Sequence, residues 1–210
     1  MKEFNTIKEN VVEEIVEKKS KFIANLIYVE TVKDAENEIK NIKKKYFDAR
    51  HNCVAYRIAE DDKIIEKSSD DGEPSGTAGA PMLNILQKNN LANVLIVVTR
   101  YFGGVLLGTG GLVRAYSECL QKAIENSKKI TKSWGEELEV VLEYNCFENF
   151  KYYCKNNNIY ITNTEYNENI VCRIELDVEK KQKLINDFDT KKIILKEVKY
   201  LSKKYIVKSI

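Results

Sequence analysis

Histidine, proline and long apolar runs are scarce in this chain of 210 residues, which has two prolines and a single histidine, His51. A lone histidine is a candidate general base or metal ligand, but no second member of a catalytic or metal-binding set stands at a recognisable spacing from it. No apolar run approaches the length of about 20 residues that a membrane-spanning helix needs, and the first residues lack a signal-peptide apolar core. We therefore expect a cytoplasmic protein without a membrane partner.

Paired cysteines and a strong net charge are also missing. The five cysteines are odd in number and form no Cys-x-x-Cys pair. This usage indicates buried thiols in a reducing compartment rather than a disulfide framework or a zinc site, so we expect no metal and no cofactor. The formal net charge of +2 is small for a dedicated nucleic-acid binder. Any contact with RNA must then come from a local patch.

Glycine is rare as well, yet eight of the nine glycines and both prolines lie between residues 68 and 114. Glycine is used where the backbone needs positive φ or approaches another group closely, so this crowding indicates a shaped surface. Two stretches carry the glycines, the acidic segment (residues 68–81) and the glycine segment (residues 101–114). We expect the functional site to lie in these two segments.

The acidic segment supports two interpretations. Its candidate site residues are Asp70, Asp71, Glu73, Ser75 and Thr77. Adjacent carboxylates can bind a divalent cation or raise one another's pKa, although their spacing fits no EF-hand loop. Asp and Ser also form ordinary turns, and a helix capped by Thr77 or Gly79 is predicted to begin beside them.

The glycine segment follows an apolar, β-branched run over residues 91–99 that predicts a central strand buried on both faces. It leads into a predicted helix, and a strand, a glycine loop and a helix N-terminus together suit an anion. Glycines also allow a helix to pack closely on a sheet, and the P-loop and dinucleotide-binding spacings are both absent. The candidate ligand-binding residues are Arg57, Arg100, Tyr101, Phe102, Gly103, Gly104, Gly108, Thr109, Gly110, Gly111 and Arg114.

The periodicity of the remaining chain predicts an α+β fold. It opens with a hairpin over residues 11–29, then a helix capped by Thr31, a strand over 51–59, a turn at Asp61-Asp62 and a strand over 63–67. Residues 127–135 are polar and predict a boundary between domains 1–132 and 133–210. Beyond it, the order βαββαβ is that of a ferredoxin-like domain. Its open sheet face is a candidate RNA platform, with Tyr144, Tyr160, Tyr166 and Tyr200 as stacking residues. The alternative, which the absence of an RRM-type motif favours, is that these tyrosines pack in the fold or lie singly at the surface.

The two segments together resemble the YigZ/IMPACT family. The resemblance is carried by Ser69-Asp-Asp-Gly-Glu-Pro-Ser-Gly-Thr-Ala-Gly79 and Val98-Thr-Arg-Tyr-Phe-Gly-Gly-Val-Leu-Leu-Gly-Thr-Gly-Gly-Leu-Val-Arg-Ala-Tyr116, supported by Lys19-Ser-Lys-Phe-Ile-Ala24 and His51-Asn-Cys-Val-Ala-Tyr-Arg57. It implies an N-terminal domain of the ribosomal protein S5 domain 2-like fold, related to domain IV of elongation factor G, and a C-terminal ferredoxin-like domain that looks like domain V of that factor. Eukaryotic relatives regulate translation by competing for the activator of an eIF2α kinase. For bacterial members the resemblance implies a link to translation or to nucleic-acid binding.

Three functions remain open at this point, of which the third is a purely structural interaction module. The first is a regulatory binding protein of translation, with Arg57, Arg100 and Arg114 meeting RNA, the ribosome or a translation-factor partner. The second is an enzyme acting on a phosphorylated small molecule or nucleotide, with the glycine segment as anion site. Its metal ligands or general bases would be Asp70, Asp71 and Glu73.

Overall fold

The computed structural model describes residues 3–60 and 63–208, so the predicted turn at Asp61-Asp62 lies outside the described residues. The chain forms two compact units that divide between Thr131 and Lys132. No helix in the described part of the chain is both long and apolar enough to cross a membrane. Sheets and helices occur in both units, which confirms the α+β class.

The first unit is built on a five-stranded sheet. Its elements are β1 (Glu3–Ile7), β2 (Val11–Glu17), β3 (Ser20–Tyr28), α1 (Val32–Lys45), β4 (His51–Glu60), β5 (Lys63–Ser69), α2 (Gly79–Lys88), β6 (Val94–Tyr101) and α3 (Gly108–Glu125). The strand order is β2-β3-β6-β4-β5, and every neighbouring pair is antiparallel. This arrangement is consistent with the S5 domain 2-like fold that the resemblance implied.

Strand β6 lies at the centre of this sheet and is covered on both faces. Ile96 and Val98 pack into the core shared with α2 and α3, whereas Leu95 and Val97 pack against α1 on the other face. Successive side chains of a strand point to opposite faces, so a strand covered on both sides is apolar along its whole length. The predicted central strand is therefore confirmed.

Helix α1 begins where the sequence predicted. The Thr31 hydroxyl accepts the Asp34 backbone N–H at 3.1 Å, and the Asp34 carboxylate accepts the Thr31 backbone N–H at 3.0 Å. Each side chain thus satisfies a backbone donor that the helix itself cannot pair. The capping box is complete, although aspartate rather than glutamate occupies its third position.

The second unit has the βαββαβ order. Its elements are β7 (Lys129–Leu142), a 3₁₀ turn (Tyr144–Cys146), α4 (Phe147–Asn156), β8 (Tyr160–Tyr166), β9 (Ile170–Leu176), α5 (Val178–Asp189) and β10 (Glu197–Val207). The strands lie in the order β10-β7-β9-β8 with antiparallel neighbours. This is the ferredoxin-like arrangement.

Residues 129–135, within the polar stretch predicted as a boundary, form the first half of β7. Residues 132–135 pair with β10 in a register that joins Lys132 to Val207 and Gly135 to Lys204. The Trp134 ring packs edge-on against Tyr205 with centroids 4.7 Å apart. The partner strand lies about seventy residues further along the chain. Local composition carried no sign of the pairing because the stabilising contacts are long-range.

The four candidate tyrosines do not share the open face of the second sheet. Tyr200 pairs with the core residue Leu138 and lies under Lys181 of α5, while Tyr166 contacts Phe147 of α4, so both lie on the helix side. The Tyr144 hydroxyl donates to the Asn167 carbonyl oxygen. The open face instead carries a mixed set of charges that includes Glu137, Glu139, Glu175, Arg173, Lys199 and Lys204. This arrangement excludes the predicted four-tyrosine stacking platform.

Candidate functional site

Four connections meet at one end of the first unit's sheet, which we call the loop end (residues 17–20, 46–51, 69–79 and 101–111). The register pairs Lys21 with Tyr101 and His51 with Arg100, and β5 finishes at Ser69 beside the same end of β4. Antiparallel neighbours place the end of one strand beside the start of the next. The acidic and glycine segments, separated by a full strand in sequence, therefore lie side by side.

Asp70 of the acidic segment caps α2. Its carboxylate accepts the backbone N–H groups of Gly76 at 2.8 Å, Ala78 at 2.9 Å and Gly79 at 2.8 Å. Burial alone would raise the pKa of Asp70, but these three donors outweigh it and hold the pKa below its ordinary value. The predicted caps were wrong: the Thr77 hydroxyl donates to the Pro74 carbonyl instead, and Gly79 is already helical.

Replacing Asp70 with alanine should lower the free energy of unfolding by about 1 to 2 kcal/mol at neutral pH, because helix α2 loses its cap. The folded pKa of Asp70 is depressed. Its contribution is therefore complete above the unfolded value of about 3.9 and is lost as the pH falls through the folded pKa. Urea unfolding measured from neutral to acidic pH checks this, with Ser75→Ala in the same segment as the control. A deficit that stays constant down to strong acid would contradict the assignment.

Asp71 and His51 hold the acidic segment against β4. The Asp71 carboxylate accepts the Asn52 backbone N–H at 2.7 Å and pairs with the Lys43 ammonium at 2.7 Å. His51 Nδ1 lies 2.9 Å from the Asp71 carbonyl oxygen, and a carbonyl oxygen only accepts, so Nδ1 carries the proton in this bond. His51 therefore supports the segment structurally through this nitrogen.

A buried ion pair joins the acidic segment to β6. Glu73 Oε1 lies 2.7 Å from Arg100 Nη1, and their side chains are only 3% and 7% exposed. Arg100 also donates to the Ser20 hydroxyl at 3.4 Å, and its guanidinium carbon lies 5.6 Å from the centre of the Phe102 ring. The prediction that Arg100 and Glu73 present free charges to a ligand is therefore corrected. Each neutralises the other inside the fold.

A chain of hydrogen bonds extends from this ion pair into α3 and β4. The Tyr116 hydroxyl donates to Glu73 Oε1 at 2.8 Å, and the Cys53 thiol lies 3.3 Å from that hydroxyl and 3.0 Å from the Asp70 carbonyl oxygen. Burial raises the pKa of Cys53 to about 12. Since only a thiolate is a competent nucleophile, Cys53 acts here as a hydrogen-bond donor.

Arg57 lies away from the loop end, which corrects its placement among the ligand-binding residues. It pairs with Val94 in the register, six residues along β4 from His51, a separation of about 20 Å at the rise of a strand. Its guanidinium donates to Glu66 Oε1 at 2.7 Å and to the Leu91 carbonyl oxygen at 2.7 Å. Arg57 thus ties β5 and the α2–β6 connection to β4.

The glycine segment contacts the turn between β2 and β3. A Cβ atom added to Gly103 would lie 2.0 Å from the carbonyl carbon and oxygen of Lys19, so only glycine fits at this approach. The turn itself has positive φ at both Lys18 (45°) and Lys19 (66°), as in a type I′ hairpin, where Asn-Gly is the usual pair. Two lysines are thereby held at the tip in an unfavourable backbone conformation.

The other glycine-segment candidates differ in backbone conformation and in surroundings. Gly104 and Gly108 need positive φ, whereas Gly110 has open space where a Cβ would point. Gly111 packs beside the Leu107 side chain, and Thr109 is exposed in the first turn of α3. Leu107 is the N-cap residue of this helix and makes no side-chain hydrogen bond to it.

Two further candidates are polar residues of the loop end. The Tyr101 hydroxyl donates to Asp48 at 2.7 Å, while Ser75 of the acidic segment is exposed.

Apolar and basic side chains remain exposed around the glycine segment. Leu106 is 82% exposed, Phe102 56% and Val105 41%. Lys18, Lys19 and Arg114 are also exposed, and within residues 3–60 and 63–208 no ion pair or side-chain hydrogen bond holds them. We call these six residues the apolar-basic surface. From the sequence, no role was assigned to Lys18, Lys19, Val105 or Leu106. The only sequence signal for the two lysines was their position side by side before Ser20.

The chain thus combines an α+β unit that carries the loop end with a ferredoxin-like unit. Comparison with known sequences identifies the family that has these two domains. A profile of the Impact N-terminal domain matches residues 18–124, which include all of the loop end except residue 17. A second profile, a domain of unknown function called DUF1949, matches residues 140–190 of the second unit. The chain belongs to the IMPACT family.

Relatives of similar length support this membership. The IMPACT family member YvyE of Bacillus subtilis is 39% identical over 84% of this chain and 80% of its own length. The IMPACT family member YigZ of Escherichia coli is 37% identical over 81% of this chain and 83% of its own length. A crystal structure described only as that of a hypothetical protein aligns with a TM-score of 0.65 and 31% identity, covering 96% of this chain and 98% of that one.

Proposed function

We propose that this protein is a translation-associated regulatory binding protein that recognises RNA of the translation machinery through the apolar-basic surface. Membership of the IMPACT family supports the link to translation, since the family resemblance implies it. The observation that carries the proposal is the close approach of the glycine segment, with its exposed aromatic ring Phe102, to the turn of Lys18 and Lys19, whose exposed cations have no ion pair in the described part of the chain.

Each part of this surface suits a chemical group of RNA. Lysine and arginine neutralise phosphates and release their counterions, while an aromatic face stacks on an unpaired base. The Arg100 guanidinium carbon lies 5.6 Å from the centre of the Phe102 ring and stabilises the ring position by a cation–π contact. The first turn of α3 adds backbone N–H groups, to which the N-cap residue Leu107 offers no side-chain hydrogen bond. Together they suit a single-stranded segment better than a duplex.

The enzyme alternative loses the residues on which it depended. Asp70 accepts three backbone N–H groups, Asp71 pairs with Lys43, and Glu73 pairs with Arg100. A carboxylate held this way must break strong bonds before it can bind a metal ion or remove a proton. The geometry therefore favours recognition over catalysis.

Charge reversal on the apolar-basic surface provides the test. Lys19→Glu and Arg114→Glu should each weaken binding to ribosomal RNA about tenfold, and each should reduce the slope of log affinity against log salt by about 0.7. Lys88→Glu, an exposed lysine at the end of α2 remote from the loop end, is the matched control. Fluorescence anisotropy with labelled RNA over a salt series measures both quantities.

A protein partner is the second candidate, because Val105 and Leu106 are aliphatic and exposed. Such a partner predicts tight binding with a flat salt response and a large loss for Leu106→Asp. RNA affinity that is equal in Lys19→Glu, Arg114→Glu and Lys88→Glu would defeat the RNA proposal. Retention of ribosome or translation-factor binding by Leu106→Asp at every salt concentration would defeat the protein alternative.

A further inference from the structure

A groove in the second unit lies between α4 and residues 191–195, far in sequence from the loop end. Its volume is about 390 Å³, within the roughly 300 to 1,000 Å³ of small-molecule sites. Phe150 and Leu195 of the unit's core lie at its base, and Ile193 packs beside them. Tyr152 and Ile194 line it while remaining largely exposed. The groove thus offers an apolar floor with a tyrosine ring at its margin.

Polar side chains converge on this floor without being used by the fold. Asn149, Asn156 and Lys191 line the groove, and in the described part of the chain no side-chain hydrogen bond or ion pair holds them. Their neighbours behave differently. Asn157 bonds to Lys183 and to the Tyr153 carbonyl oxygen, and Lys192 pairs with Asp187.

The charge of the groove has one sign. Two lysines line it, Lys191 and Lys192, and no carboxylate is among the lining residues. Lys192 is paired with Asp187, whereas Lys191 has no ion pair in the described part of the chain, although Asp189 lines an adjoining cavity with it. An anionic group on a ligand would meet an ammonium at the margin of an apolar surface, where the attraction is stronger than in bulk water.

The backbone of Lys191 is an independent observation. Its φ is 57°, in the left-handed region, directly after the residue that caps α5. Helices commonly end in this conformation, but glycine is the usual residue because a side chain is unfavourable there. A lysine at this position places a charged side chain on the groove at some cost to the fold, and residues in strained conformations cluster at functional sites.

We propose that this groove binds a small aromatic anion of about the size of a mononucleotide. The ring lies on the apolar floor beside Tyr152, the carboxamides of Asn149 and Asn156 bond to its polar edge, and Lys191 binds the phosphate or carboxylate. The proposal concerns the second unit alone and is independent of RNA recognition by the loop end.

The variant Lys191→Gly separates a binding role from a structural one. Glycine accepts the left-handed backbone without strain, so the melting temperature should stay unchanged or rise slightly. Affinity for an aromatic anion should fall at least tenfold. Lys155→Ala, an exposed lysine in the last turn of α4 outside the groove, is the control and should leave affinity unchanged.

The probes are AMP, UMP and anilinonaphthalene sulfonate, titrated into the full-length protein and followed by amide chemical shifts. Shifts at residues 149–157 and 191–195 with at least one probe, lost in Lys191→Gly, are the expected result. Uncharged adenosine should bind at least tenfold more weakly than AMP. The proposal is overturned if no probe shifts these amides at millimolar concentration, if Lys191→Gly binds as well as the wild type, or if adenosine matches AMP.

Discussion

Replacing Glu73 with alanine is expected to lower the free energy of unfolding by about 3 to 5 kcal/mol, because it leaves a buried guanidinium without its counter-ion. Arg100 is 6% exposed, and its Nε already has no hydrogen-bond partner in the described part of the chain. The substitution also removes the acceptor of the Tyr116 hydroxyl. Urea unfolding at neutral pH measures the loss, which is a large share of a typical domain stability of about 5 to 15 kcal/mol.

A double-mutant cycle with Arg100→Met identifies the cause. Glu73→Gln keeps an oxygen acceptor for Tyr116, so it should lower the free energy of unfolding by less than Glu73→Ala does. The double variant with Glu73→Gln and Arg100→Met should lose at least about 1 kcal/mol less stability than the sum of the two single losses. The exposed pair Lys122–Glu118 gives the control, since Glu118→Ala should change stability by less than about 0.5 kcal/mol. If Glu73→Ala lowers the free energy of unfolding no more than Glu118→Ala does, the Glu73–Arg100 ion pair does not stabilise the fold as we describe.

The second large effect is expected at Gly103, where alanine should cost about 3 kcal/mol, the upper end for overpacking. The added Cβ would overlap backbone atoms of Lys19 and Ser20, at 2.0 and 2.4 Å, so the β2–β3 turn and the glycine segment must move apart. This movement shifts Lys18 and Lys19 away from Phe102. RNA affinity measured on the folded variant should therefore fall as well, even though no charge has changed.

Gly110→Ala is the matched control for this prediction. It lies in the first turn of α3, its φ is not positive, and among the described residues no heavy atom beyond its chain neighbours and the backbone of its own helix lies within 4 Å of the added Cβ. Alanine is the better helix former, so stability should be unchanged or rise by up to about 1 kcal/mol. Equal stabilities of Gly103→Ala and Gly110→Ala in thermal unfolding would contradict the close approach.

Local patterns in the sequence predicted most of the fold. Thr31 with Asp34 predicted the start of α1, and the apolar run before Arg100 predicted the central strand. Both signals are complete within a few neighbouring residues. The start of β7 was missed because its partner is β10, at the far end of the second unit. A polar stretch becomes a strand there only through a contact that no local window contains.

The sequence indicated which two segments form the candidate site, but not how their charged residues pair. Residue types pointed to the acidic and glycine segments, and the structure places them together. Whether Arg100 faces a ligand or a carboxylate depends on Glu73 and Ser20, which are 27 and 80 residues away in the chain. Arg57 shows the same limit, since its carbonyl partner at Leu91 is 34 residues away. Burial and pairing decide whether a charge is available, and neither can be read from composition.

The contact between Gly103 and the lysine turn has a thermodynamic consequence for recognition. A flexible basic loop would have to lose conformational freedom each time it closed on a ligand, at about 1 to 2 kcal/mol for each ordered residue. Here the backbone of the turn is already fixed against the glycine segment by a bond from the Gly103 N–H to the Ser20 hydroxyl at 3.1 Å. The spacing between the lysine backbone and the aromatic residue is set before any partner arrives. Most of that entropy is lost during folding, and the encounter itself costs correspondingly less.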